Sequence, residues 1–190
     1  TGVQTCALPI CGVLFEGNTV FRNAYQGIFY EISSGGTIRN NIVGQNGERW
    51  PWLYGGQIML GTARTTLITG NTVEVGTAYG NGITIVWSNR PPHDALGNRV
   101  TDNDVTFLAP RGVSGLRTDF AGGDAIYTSS KFANNRYHAP NPAHEHFEGA
   151  GNGDRDLVAQ QRTGQDLGST IDGVVRPRVW SCAMLASVKR

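Results

Sequence analysis

Glu16-Gly17-Asn18-Thr19-Val20, Arg39-Asn40-Asn41-Ile42-Val43, Thr69-Gly70-Asn71-Thr72-Val73, Thr101-Asp102-Asn103-Asp104-Val105 and Ala133-Asn134-Asn135-Arg136-Tyr137 are five returns of one short phrase. Their central residues, Asn18, Asn41, Asn71, Asn103 and Asn135, stand 23, 30, 32 and 32 positions apart. A second phrase, glycine followed by alternating apolar residues, keeps step with the first. It opens at Gly27, Gly56, Gly82 and Gly112, at spacings of 29, 26 and 30. A repeat near 30 residues that is strand-like and rich in Asn and Gly is the signature of a solenoid.

The physical reading follows from what one unit can bury. Each unit holds three short strands and no face large enough to close a core, so units must stack and cover one another. Neighbouring strands then lie about 4.7–4.9 Å apart, and about five coils make a rod of roughly 20–25 Å. The Asn and Gly-Asn pairs suit corners with positive φ. Stacked Asn side chains are expected to hydrogen-bond from coil to coil. Alternation places Ile28, Tyr30, Ile32, Ile58, Leu60, Ile83, Ile85 and Trp87 inward, with Ile42, Val73 and Val105 after the corner. The competing all-β arrangement, a sandwich or jelly roll, needs long strands joined by hairpins every 8–12 residues. Very short strands at a period near 30 favour a right-handed parallel β-helix, the hand following from the crossover rule.

The fold class is thus all-β, a solenoid of about five coils over residues 12–140, with an irregular C-terminal tail over 141–190. Ala139-Pro140-Asn141-Pro142 breaks the repeat, and Gly149-Ala150-Gly151-Asn152-Gly153 reads as a flexible stretch. Asp154 is placed to cap a short helix over Arg155–Arg162 that stops at Gly164. A tail of this kind covers the last coil of a solenoid. Residues 172–190 fit no pattern. At the other end, Thr1–Ile10 resemble one reading frame of a common DNA-sequencing adapter. They are set aside as an artefact together with Cys11, and natural sequence is expected to start near Gly12, inside a domain.

Composition excludes several classes. The net charge of +1 gives no electrostatic case for nucleic acid or an anionic membrane. No apolar run is long enough to span a bilayer. With Cys6 and Cys11 discounted, Cys182 stands alone, and neither a disulfide framework nor a Cys-x-x-Cys zinc site is available.

Gly27-Ile28-Phe29-Tyr30-Glu31-Ile32-Ser33 followed by Gly36-Thr37-Ile38-Arg39-Asn40-Asn41-Ile42-Val43 resembles the bacterial right-handed parallel β-helix repeat proteins of the pectin-lyase-like superfamily. The likeness covers about residues 12–140. It implies a secreted or cell-surface protein that binds or cleaves a polysaccharide, by lyase or glycoside hydrolase chemistry. The alternative within the same fold is a non-catalytic glycan-binding or structural module, since fold alone does not assign activity. Ca²⁺ enters only through the resemblance, as the ion that acidic residues of a pectate-type lyase hold.

Candidate site residues follow from the outward positions and the loops. The outward set of the first strand in each coil reads Phe29, Glu31, Gln57, Met59, Gly61, Thr84, Val86, Ser114 and Leu116. Glu31 is its one carboxylate, a candidate general acid, base or metal ligand whose partner would come from a coil upstream. A hydrolase needs two carboxylates about 5–9.5 Å apart, and this face offers no second one. The loop Glu48–Tyr54 interrupts the repeat with Arg49, Trp50, Trp52 and Tyr54, whose ring faces and polar tips suit sugars. The Trp rings are equally suited to fold back on the solenoid wall. Arg90, His93 and Asp94 form a second protruding turn, and Arg117, Asp119 and Asp124 surround a third. His144-Glu145-His146 sets two imidazoles on one face without a third ligand at fixed spacing, so no metal site is assigned. The glycines of 149–153 lack the strand and lysine of a phosphate loop.

Overall fold

In a computed structural model the chain is described over residues 11–49, 53–151 and 153–181. Five coils of three strands follow one another. The first coil holds β1 (Leu14–Glu16), β2 (Thr19–Phe21) and β3 (Ile28–Glu31); the second holds β4 (Thr37–Arg39), β5 (Ile42–Gly44) and β6 (Gly56–Gly61). The third holds β7 (Leu67–Thr69), β8 (Thr72–Val75) and β9 (Asn81–Trp87); the fourth holds β10 (Arg99–Thr101), β11 (Asp104–Phe107) and β12 (Ser114–Thr118). The fifth holds β13 (Lys131–Ala133), β14 (Arg136–His138) and β15 (Phe147–Glu148), with the helical turn α1 (Ile126–Ser129) before it. After it come β16 (Asp154–Arg155), helix α2 (Leu157–Arg162) and β17 (Thr170–Asp172).

Corresponding strands pair in parallel into three sheets, ordered β1-β4-β7-β10-β13, β2-β5-β8-β11-β14-β17 and β3-β6-β9-β12-β15-β16. One pair departs from this: β16 runs antiparallel to β15. The architecture is a right-handed parallel β-helix. Parallel stacking continues past Pro140, because β15 joins β12 and β17 joins β14.

The core is a file of aliphatic and aromatic side chains along the axis. Ile38, Ile68, Val100 and Phe132 line the first sheet, Val43, Val73, Val105 and Tyr137 the second, and Ile58, Ile83 and Leu60, Ile85, Leu116 the third, all almost fully buried. Burying each such side chain contributes about 1.5–3 kcal/mol.

Corners are held by the expected ladder. The Asn41 backbone N–H and Nδ2 both donate to Asn71 Oδ1 at 3.0 and 2.9 Å, and Asn18→Asn41, Asn71→Asn103 and Asn103→Asn135 repeat the pattern. The ladder ends where Asn135 N donates to Ser169 Oγ at 2.9 Å. The left-handed residue is the one before each ladder Asn: Gly17, Asn40, Gly70, Asp102 and Asn134, with φ of 54–68°.

Four readings of face and boundary are corrected. Ile42 is only half-buried, and its neighbour Val43 takes the inward position in register with Val73. Ser114 and Leu116 do not face outward: Gly115 pairs with Thr84 and Leu116 with Ile85, so Gly115 and Arg117 hold the outer positions. Gly112 stands one residue earlier in its coil than Gly82 does in its own, and a one-residue slip exchanges the two faces. Gln57 is buried in a further corner ladder, where its Oε1 accepts from Asn46 N at 2.8 Å and Asn46 Oδ1 accepts from Asn23 N at 3.0 Å. In the tail, the cap of α2 is Asp156, whose side chain accepts from Ala159 N at 2.7 Å, and not Asp154, which lies in β16.

Candidate functional site

The outer face of the third sheet carries the candidate site. Along β3, β6, β9 and β12 the outward file Glu31, Gly61, Val86, Arg117 is in register. Beside it, Met59 and Val86 are fully buried although they point away from the solenoid axis, because Phe29, Tyr54 and Val113 pack over them. Tyr54 belongs to a 3-10 turn, Leu53–Gly55, that leads straight into β6. The turn thus anchors an aromatic ring on the sheet and directs its hydroxyl across the face.

That hydroxyl donates to Asp119 Oδ2 at 2.5 Å and lies 3.0 Å from Ser88 Oγ, and Ser88 Oγ donates to the same Asp119 oxygen at 2.8 Å. Ser88 and Asp119 each follow directly on a strand, so backbone pairing fixes both ends of the triangle: Asp119 N donates to Trp87 O at 3.0 Å. Burial raises the Tyr54 phenol above its usual range, with the Asp119 carboxylate adding to the effect and the Ser88 contact opposing it.

Two arginines flank the triangle. Arg90 reaches back to Glu31, Nη1 to Oε1 3.1 Å, and Arg117 donates to Glu148 Oε1 at 2.9 Å. Glu148 is nearly inaccessible, and burial pushes its carboxyl up to about 7 against the pull of Arg117, with Asp154 pushing it further up. Between the two arginines lies a cleft of about 570 Å³ lined by Tyr54, Ser88, Asn89, Arg90, Arg117, Thr118, Asp119 and Phe120. Phe120 presents 58% of its surface to solvent, which is large for an aromatic without a partner to cover it.

Five residues nominated from sequence therefore meet on one face: Tyr54, Arg90, Arg117 and Asp119 in the cleft and Glu31 behind Arg90. The carboxylate shortage expected of that face does not hold, since Asp119 and Glu148 join Glu31 there. Strand β15 was not readable in a glycine-rich tail, and Asp119 was legible as a candidate of the third loop but not as the partner of Tyr54. His93 shares the Arg90 turn, donating its backbone N–H to Arg90 O at 2.9 Å, but does not line the cleft. Arg49 is exposed, with its N–H donated to Ala24 O at 3.1 Å. Trp50 and Trp52 lie outside the described residues.

Metal-binding chemistry has few donors. Among the described residues no three of His, Cys, Asp and Glu come together in a group that would hold an ion. His144 and His146 do meet, ring centroids 4.8 Å apart, but His146 is buried, stacked on Phe107 at 4.1 Å, with Nδ1 against Gly112 O at 2.9 Å. Burial lowers the His146 pKa, which disfavours the charged ring. None of the described helices is long and apolar enough to cross a membrane.

No curated protein and no solved structure matches the chain. A family model described as "Periplasmic copper-binding protein (NosD)" matches residues 11–149. These are well over half of the 190 residues and take in all five coils, and the chain therefore belongs to the NosD family.

Proposed function

We propose that the chain is an extracytoplasmic β-helix module that binds a polysaccharide in the cleft between Arg90 and Arg117. The observation that carries this reading is the convergence of two guanidinium groups, a hydroxyl–carboxylate triangle and the exposed Phe120 ring on one open face. A sugar needs donors and acceptors in a plane for its hydroxyls and an aromatic face for its C–H edge. Arginine forks add recognition of a carboxylate, which favours an acidic sugar. Each cleft carboxylate is already engaged by a donor of the chain, an arrangement suited to holding a ligand rather than cleaving it. The periplasm named in the family description agrees with the extracytoplasmic placement.

Affinity electrophoresis on neutral and uronic-acid polysaccharides tests the reading. Wild type is expected to be retarded on at least one acidic polymer, and Arg90→Ala together with Arg117→Ala is expected to abolish the retardation. Absence of retardation on every polymer overturns it. Product ultraviolet absorbance and reducing-end assays on the same panel separate binding from cleavage.

The family description also brings copper. The described donors do not fit a resident copper centre, because the one imidazole pair falls short of the three or four ligands that nitrogen and sulfur copper sites take.

A further inference from the structure

The strongest unassigned feature lies on a different sheet from the cleft. Residues 173–180 leave β17 at the last coil, lie outside every strand and run back along the outer face of the second sheet. They end at Trp180, which is only 5% exposed although Val179 beside it is 81% exposed. The indole sits against Phe21 of the first coil, ring centroids 5.4 Å apart, and over Gly44 of the second, where any Cβ would collide with it. Glu74 of the third coil completes the slot. Its two oxygens accept from the Trp180 indole N–H at 2.5 Å and from the Arg178 backbone N–H at 2.7 Å. Phe21, Gly44 and Glu74 are successive partners in one register file, so the slot is built by three coils.

We propose that Phe21, Gly44 and Glu74 form a peptide-docking site whose ligand is an extended segment with a tryptophan two residues after a free backbone N–H, occupied here by the chain's own C-terminal segment. Three features separate it from ordinary packing. A buried carboxylate must be paired, and N–H groups of one short segment reach both oxygens of Glu74, Oε1 in company with Gln45 Nε2 at 3.0 Å. The missing Cβ of Gly44 leaves room for one flat ring. The rest of the segment is mostly exposed, so this slot is its anchor. A segment held at one point opens locally at low cost, and a partner presenting the same pattern enters by displacing it. The proposal is independent of the cleft, which lies on the third sheet.

The test uses the full chain and a labelled synthetic peptide of residues 174–181. The Trp180→Ala variant, with its slot vacated, is expected to bind the peptide saturably. Wild type is expected to bind at least about tenfold more weakly, because its tethered segment competes at a high effective concentration. Adding Gly44→Leu to Trp180→Ala is expected to remove binding. A folded Trp180→Ala chain that does not bind, or that binds no better than wild type, overturns the proposal. Should Trp180→Ala not fold, Trp180→Phe carries the test. Its anchor lacks the indole N–H, so the peptide is expected to displace it at least about tenfold more readily than the wild-type segment. Equal resistance overturns the proposal.

Discussion

Glu148 shows how far a single residue departs from its ordinary chemistry here. Its side chain is 2% exposed, with the Arg117 guanidinium on one side and the Asp154 carboxylate across the β15–β16 pair. Desolvation outweighs the ion pair, and the carboxyl titrates at about 7 instead of 4.5. The folded chain therefore holds a proton that the unfolded chain has already released. The resulting contribution to stability is fully present below 4.5 and is lost as the pH rises through about 7. Glu148→Gln mimics the protonated form at every pH. It is expected to remove on the order of 2 kcal/mol of the fall in stability between about pH 5 and pH 8. Urea unfolding of both proteins at the two pH values is the measurement, and parallel pH profiles would refute the assignment. This residue was illegible in the sequence because nothing in a glycine-rich tail signals a two-residue strand. Glu31, Tyr54 and Arg90 were nominated by alternation and by loop composition. The Arg90–Glu31 and Tyr54–Asp119 contacts were not, because each joins residues from different coils.

At the scale of the element, the corner ladder is what the repeat encodes, and it is the part most legible in the chain. A side chain that satisfies the coil on either side has to recur once per coil, which is why Asn41, Asn71, Asn103 and Asn135 stand about a coil apart. Asn103 Nδ2 donates to Ile68 O, Thr101 O and Asn135 Oδ1 at 3.0–3.1 Å, and its Oδ1 accepts from Asn71 N and Nδ2. Asn103→Ala leaves several buried groups unpaired and is expected to cost about 3 kcal/mol. The exposed first rung, Asn18, is expected to cost less than about 1 kcal/mol when changed to Ala. Chemical denaturation of the two variants compares them, and equal losses would mean that the ladder is decorative. What the repeat does not encode is the phase of each strand. The phrase opened by Gly112 corresponds to the one opened by Gly82, yet sits one position out of step with it, and Leu116 consequently enters the core in place of the groove. Periodicity counts residues, whereas face is decided by backbone register.

For the molecule as a whole, stacking explains why the coils were readable and the closing segment was not. Coil-to-coil contacts join residues some 30 positions apart and repeat, so each reinforces the pattern. The contacts of Arg178 and Trp180 with Glu74 span 104 and 106 positions and occur once. The same distinction bears on metal chemistry. A solenoid builds a multi-ligand centre readily when donors recur at one coil position, since they then stack at strand spacing. Here the outward files alternate in kind: Glu31 is followed by Gly61, Val86 and Arg117, and Phe29 by Met59, Thr84 and Gly115. His144 and His146 share a single coil instead of recurring. The folded chain is therefore expected to gain no stability from copper. A site occupied at one hundred times its dissociation constant adds about 2.7 kcal/mol, a rise of several degrees in Tm for a domain of this size. Thermal unfolding of the full chain, with and without an equivalent of Cu(I) or Cu(II), is expected to give coincident curves. A copper-dependent rise of that size, removed by His144→Ala and His146→Ala together, would place a metal site on the closing coil.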